Sequence, residues 1–132
     1  MPHFIIEHSS NVGQSHDLKL LGEIIRDAAD ATGVFPLGGI RVRFHSCETY
    51  VIADGHPDNA FLSVIVRIGA GRDLETKRKA GQVVFDAICD FFEDDLKGEH
   101  FMVSLDIEEN IPDVSFKKNS VHGRLQGKTT LN

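Results

Sequence analysis

Pro2-His3-Phe4-Ile5-Ile6-Glu7-His8 is the stretch from which the rest of this chain can be read. Phe4 and Ile6 alternate with His3 and Ile5, the period-two pattern of a β-strand. Pro2 follows Met1 directly, and a small second residue predicts that the initiator methionine is removed. The strand would then begin with a free secondary amine instead of an amide. An α-amino group titrates at about 8, against about 10.4 for lysine. Burial or neighbouring positive charge lowers that value further, because both disfavour the ammonium form. A strand that holds such an amine inside the fold therefore offers a general base near neutral pH without any histidine.

Outward from that strand, residues 17–32 read as a helix, with Leu18, Leu21, Ile25 and Ala28 on one face. Ser15 is its expected N-cap, and Gly33 suits a left-handed C-terminal cap. Pro36 ends the helical reading. Residues 39–45 alternate as a second strand, and residues 49–53 as a third that closes on Asp54-Gly55. The pattern then restarts. Residues 60–68 are strongly β in composition, and Gly69-Ala70-Gly71-Arg72 is a turn. Asp73 caps a helix reaching about Leu96, with Leu74, Ala80, Val84, Ile88 and Phe91 as its buried stripe. Residues 101–107 form the next strand.

The chain thus reads as a duplicated β-α-β unit, with repeats at approximately 2–55 and 60–122 inside a single domain, 1–132. Each unit pairs its two strands in parallel, with the helix crossing one face. The expected fold is α+β, a two-layer arrangement of one four-stranded mixed sheet with two helices on one face. If Phe, Ile and Val line the opposite face, it is expected to be covered in a closed symmetric oligomer in which sheets face one another. Short strands near Thr49 and at the C-terminus would pair with neighbouring subunits and cover sheet edges.

Composition excludes several classes. The net charge of −6 and scattered basic residues argue against nucleic acid as a partner. No apolar run approaches membrane-spanning length, and no signal peptide is visible, so a cytoplasmic protein is expected. Cys47 and Cys89 form no C-x-x-C pair and read as reduced thiols, Cys89 beside the core. The seven histidines show no metal-ligand spacing. Gly127-Lys128-Thr129 resembles the end of a phosphate loop, but His122 stands where that motif needs glycine.

Four segments carry a resemblance. They are Gly33-Val34-Phe35-Pro36-Leu37-Gly38-Gly39-Ile40-Arg41-Val42-Arg43, Ala53-Asp54-Gly55, Ile68-Gly69-Ala70-Gly71-Arg72 and Phe116-Lys117-Lys118-Asn119-Ser120-Val121-His122. Together with Pro2 on the first strand of a doubled β-α-β unit, they resemble the 5-carboxymethyl-2-hydroxymuconate isomerases of the tautomerase superfamily, from Pro2 to about His122. The resemblance implies a homotrimer with no metal and no organic cofactor. It implies proton-transfer isomerisation of a dienol polycarboxylate in homoprotocatechuate (4-hydroxyphenylacetate) degradation, with the N-terminal proline as base. Alternatives are a superfamily enzyme for another enol or unsaturated acid, or a trimeric binding protein with vestigial activity.

The residues fit that chemistry. A proton moving between oxygen and carbon passes through a dienolate, which needs fixed positive charge as well as a base. Arginine binds carboxylate with a planar fork and keeps its charge. Arg72 ends the turn before a helix N-terminus, itself favourable to anions. By resemblance, related 4-oxalocrotonate tautomerases keep arginines at the positions of Arg72 and Arg41. The candidates are Pro2 as catalytic base, with Arg72 and Arg41 as carboxylate clamps and charge stabilisers. Arg43, on the same strand face as Arg41, and Phe35 are candidates for substrate binding. Phe35, Phe44 and Phe61 could line an apolar pocket or pack in the core. The first repeat has no arginine after its strand, and the second has no free amine. A complete site therefore needs parts of both repeats, giving three sites per trimer.

Overall fold

The computed structural model of the chain describes the backbone of residues 1–130 and the side chains of residues 1–126. The Gly127-Lys128-Thr129 side chains lie outside the described residues. The elements run β1 (His3–Ser9), α1 (Ser10–Ser15), α2 (Leu18–Ala31), a 3-10 turn (Leu37–Gly39), β2 (Arg41–Cys47) and β3 (Ala60–Ile68). They continue with α3 (Leu74–Phe91), α4 (Glu93–Lys97), β4 (Phe101–Glu109), a second 3-10 turn (Pro112–Val114) and α5 (Ser120–Thr130).

The four strands form one sheet in the order β2-β1-β3-β4. β1 lies parallel to β2, β3 parallel to β4, and the two halves meet antiparallel through β1 and β3. This is the mixed sheet expected from two β-α-β units side by side. The register pairs Phe4 with Val42 and with Val66, so one row of apolar side chains crosses the sheet. Phe4 and Ile6 of β1 and Leu62, Val64, Val66 and Ile68 of β3 are buried in that row. Leu21, Ile25 and Ala29 of α2 and Ala80, Val84 and Ile88 of α3 close over it, at helical spacing. Each large side chain buried there contributes about 1.5–3 kcal/mol relative to exposure, so truncating Ile6 to alanine would cost about 2–5 kcal/mol.

The helix ends follow local chemistry, with some differences from expectation. Asp17 caps α2, accepting from the Leu20 N–H at 3.1 Å. Ser15, the expected cap, is the last residue of the short α1, and its hydroxyl donates to the Asn11 carbonyl at 3.1 Å. Asp73 caps α3 as expected, accepting from the Thr76 N–H at 2.8 Å, and Gly33 adopts φ +71°. Leu74 is 72% exposed and does not join the buried stripe. The long second helix breaks at Phe92, whose fully buried ring turns into the core before α4 begins.

Residues 49–53 do not form a strand. The Ile52 carbonyl accepts from the Gly55 N–H at 2.9 Å and from Asn59 Nδ2 at 3.1 Å, while Ala53 sits at φ +52°. This turn captures the segment locally, so it presents no edge for pairing. The C-terminal region is also not a strand. It forms α5, which packs against the 3-10 turn at Leu37–Gly39.

The sheet face opposite the helices is mixed, with Ile5, Ile65, Phe61 and Met102 among its charged residues. By alternation it carries His3, Ile5 and Glu7 of β1 beside Arg41, Arg43 and His45 of β2. Arg67 of β3 and Glu108 of β4 extend the row that begins with Arg41 and His3. Charge is therefore concentrated at the end of the sheet where the chain starts.

Candidate active site

Pro2 is fully buried at the head of β1. Its carbonyl accepts from the Arg41 N–H at 3.2 Å, which ties the start of β1 to the start of β2. Met1 is present and lies against Gly39, where an added Cβ would meet the Met1 Cγ, Cβ and Cα at 3.0, 3.2 and 3.3 Å. Burial holds the terminal amine below its ordinary value of 8.0, and the positive charges of Lys117, Arg72 and Arg41 lower it further. All three cations belong to this same chain. That shift belongs to the Met1 amine; with Met1 removed, the terminal amine would be the nitrogen of Pro2.

The sequence candidates meet here. Arg72, from the second half of the chain, donates from Nη1 to the Gly69 carbonyl at 3.3 Å and from Nη2 to the Val34 carbonyl at 3.2 Å. Its guanidinium lies 5.4 Å from the centre of the Phe35 ring, a cation–π arrangement. Phe35 is itself buried, edge-on to Phe4 with ring centres 6.1 Å apart. Phe35 thus connects to the site through Arg72, as the surface on which that cation rests. Arg41, from the first half, donates from Nε to the Gly39 carbonyl at 3.2 Å and is otherwise exposed. Phe44 faces α2 and packs against the core, whereas Phe61 takes the opposite sheet face.

Arg43 turns to His3 and donates from Nη1 to its Nδ1 at 3.2 Å. Burial, then the charges of Arg41, Arg43 and Arg67 and the terminal amine, push the His3 pKa down to about 4. His3 is therefore a neutral acceptor at pH 7. Among the described residues, none of Arg41, Arg43, Arg72 and Lys117 forms an ion pair with a carboxylate. In a chain of net charge −6, unpaired cations around one amine form a receptor for an anion.

Two residues were not singled out by sequence reasoning. Lys117 and Asn119 lie in a segment without secondary-structure periodicity, between the second 3-10 turn and α5. Asn119 Nδ2 donates to the Gly38 carbonyl at 2.8 Å and lies 3.0 Å from the Met1 sulfur. Its Oδ1 accepts from the His122 N–H at 3.0 Å, capping α5. Gly38 permits the close approach, since a Cβ there would lie 2.5 Å from the His122 Cα. The only sequence sign was membership in a family-like segment.

A second cluster lies at the other end of the sheet. His56, Asp58 and His100 bring one ligand-type atom each within 4.8 Å of one another. Sequence spacing hid this group because His100 is distant along the chain. The His56 and His100 rings stack at 4.3 Å, and His100 Nδ1 bonds Asn59 Oδ1 at 2.9 Å. It is remote from Pro2, because Ala60 and Phe101 pair at the opposite strand ends. Cys47 and Cys89 are free thiols, and burial raises the Cys89 pKa. No helix among the described residues is long and apolar enough to cross a membrane.

The chain matches the 5-carboxymethyl-2-hydroxymuconate isomerase family over residues 2–125. It is 41% identical to the 5-carboxymethyl-2-hydroxymuconate Delta-isomerase of Escherichia coli over 122 residues, covering 92% of this chain and 97% of that protein. A crystal structure of a 5-carboxymethyl-2-hydroxymuconate isomerase from Deinococcus radiodurans R1 superposes with a TM-score of 0.86 at 31% identity, covering 94% of this chain and 93% of that one. A fused 4-OT described as a symmetric trimer shares the fold, with a TM-score of 0.58 at 20% identity over 81% of this chain and 85% of that one. With the family match spanning nearly the whole sequence and Pro2, Arg41 and Arg72 gathered in one place, this chain belongs to the 5-carboxymethyl-2-hydroxymuconate isomerase family.

Proposed function

We propose that this protein is an isomerase of 5-carboxymethyl-2-hydroxymuconate, with the Pro2 amine as its proton carrier. The neutral amine takes the proton from the 2-hydroxyl of the dienol. The electron pair left on oxygen forms the 2-oxo group, the C2=C3 pair moves to C3=C4, and the C4=C5 pair becomes the new C5–H bond by taking the proton back from the Pro2 ammonium. No atom is gained or lost. One base serves both steps, so its pKa must lie near the working pH, and, besides burial, the cations that lower the Met1 amine, Lys117, Arg72 and Arg41, are the groups that would lower that of Pro2 in turn.

Arg41 and Arg72 hold carboxylate oxygens and offset the negative charge of the dienolate. Arg72 has two of its N–H groups fixed by backbone carbonyls and its plane laid on Phe35, so its remaining donors are aimed before substrate arrives. Arg43, held by His3, adds positive charge on the same strand face and serves substrate binding at longer range. The observation that carries the reading is a buried proline directly behind the Met1 terminal amine, in a place where burial and the charges of Lys117, Arg72 and Arg41 lower the pKa of that amine and the three cations have no carboxylate partner among the described residues.

The assembly in this reading is a homotrimer whose subunits cover the charged sheet face, giving three sites. Light scattering on the eluting protein tests that assembly. The reaction is tested by ultraviolet absorbance, following dienol-to-ketone conversion with protein shown by intact mass to begin at Pro2. Conversion well above buffer is expected. Buffer-level rates on such protein would overturn the reading.

A further inference from the structure

We infer that Lys117 and Asn119 form a third wall of the site, reading the carboxymethyl arm that sets this substrate apart from a plain hydroxymuconate. The inference rests on the isomerase reading and deepens it.

The argument begins with the orientation of the Asn119 amide. Its Oδ1 is committed to the His122 N–H, and one Nδ2 hydrogen to the Gly38 carbonyl. These two bonds fix which end of the amide is which. The second Nδ2 hydrogen is directed at the Met1 sulfur, a weak acceptor. Loss of Met1 removes that acceptor and leaves an N–H aimed into the space beside Pro2. Gly39 bounds the same space, because the atoms that crowd its missing side chain are those of Met1. The volume filled by the initiator residue is thus lined by an amide donor, a bare glycine and the buried proline.

The charge count points the same way. The substrate carries three carboxylates: the two of the muconate chain and that of the carboxymethyl arm. Arg41 and Arg72 supply two clamps. Arg43 is engaged with His3. Lys117 is exposed, has no carboxylate partner among the described residues, and is the charge felt most strongly by the terminal amine. Docking of α5 on the turn at Leu37–Gly39, through the close approach of Gly38 to His122, positions the segment that carries Lys117 and Asn119. The sheet therefore supplies the base and two clamps, and the C-terminal segment supplies selectivity.

The test uses full-length protein beginning at Pro2, with two readouts. In the first, kcat and KM are measured on 5-carboxymethyl-2-hydroxymuconate and on 2-hydroxymuconate, which lacks the arm. Lys117→Ala should raise KM about tenfold for the former and by a smaller factor for the latter, any change in kcat through the amine being shared by both, and Lys117→Arg should restore the ratio of the two KM values. Asn119→Asp keeps the cap on α5 but loses both Nδ2 bonds, that to Gly38 included; with an unchanged thermal melt to show α5 still docked it should also raise KM, whereas a wild-type KM in that variant overturns the donor role. In the second, calorimetry compares tricarballylate with glutarate, a tricarboxylate against a dicarboxylate. Wild type should prefer the tricarboxylate, and Lys117→Ala should lose that preference. If wild type turns over neither dienol, the isomerase reading fails while the calorimetric arm still decides this inference. An unchanged preference in Lys117→Ala overturns it whatever the turnover.

Discussion

Replacing Gly39 by alanine places one methyl group at the proposed reaction centre with little cost to the fold. The three atoms nearest to such a methyl are all in Met1, at 3.0–3.3 Å, so in protein that begins at Pro2 every remaining neighbour lies at 3.3 Å or beyond. Gly39 is not at positive φ, so alanine adds no backbone strain. A substitution free of clashes and strain usually changes stability by less than about 0.5 kcal/mol. At about 4 °C per kcal/mol for a chain of this size, Tm should move by about 2 °C or less. Substrate must then share its space with the methyl. Overpacking a filled site costs about 1–3 kcal/mol, which at 1.36 kcal/mol per decade is a loss of about 5- to 150-fold in kcat/KM. The assay is ultraviolet turnover on mass-verified protein, with a thermal melt of the same sample. Gly38→Ala is the contrasting variant, because its methyl would lie 2.5 Å from the His122 backbone and force α5 away. A kcat/KM for Gly39→Ala within twofold of wild type, at unchanged Tm, would refute the claim that substrate occupies the space held by Met1.

Arg72→Ala and Arg41→Ala should each lower kcat/KM by about 10²- to 10³-fold, the usual cost of losing a charge-stabilising donor. Arg72→Lys should recover only part of this, since lysine lacks the fork that spans Val34 and Gly69. In the pH dependence of kcat/KM, activity should rise as the Pro2 amine loses its proton, and Lys117→Ala, which removes the strongest charge acting at the chain terminus, should move the midpoint of that rise upward. His3 titrates at about 4 in the folded protein against 6.5 when unfolded, so the unfolded chain binds that proton first. Stability should therefore fall as pH drops from 6.5 towards 4, and urea melts across that window should show a shallower fall in His3→Asn.

The sheet and its two long helices were legible because their apolar periods of two and of three to four residues are long and uninterrupted. Residues 49–53 misled because Tyr50, Val51 and Ile52 look like a strand, while the deciding bonds come from Asn59 and Gly55 downstream. The break at Phe92 was hidden because the helical pattern continues through it, and only core packing turns the chain there. The site divides along the same line. Pro2, Arg41 and Arg72 could be read from their positions at element ends and from resemblance. Asn119 could not, because its significance rests on three partners far away in sequence or in the next turn, namely Gly38, Met1 and His122. The His56, Asp58 and His100 grouping escaped for the same reason, being made by strand pairing.

The crowding of Met1 against Gly39 has a practical consequence for anyone producing this protein. On the proposed mechanism, the functional group is the first atom of the finished chain. An affinity tag or fusion partner placed ahead of Met1 would turn that atom into an amide and thread foreign backbone through the gap beside Gly39. Such a product would be folded and pure, yet inert. Its activity would return only after a protease cut that leaves no scar before the proline.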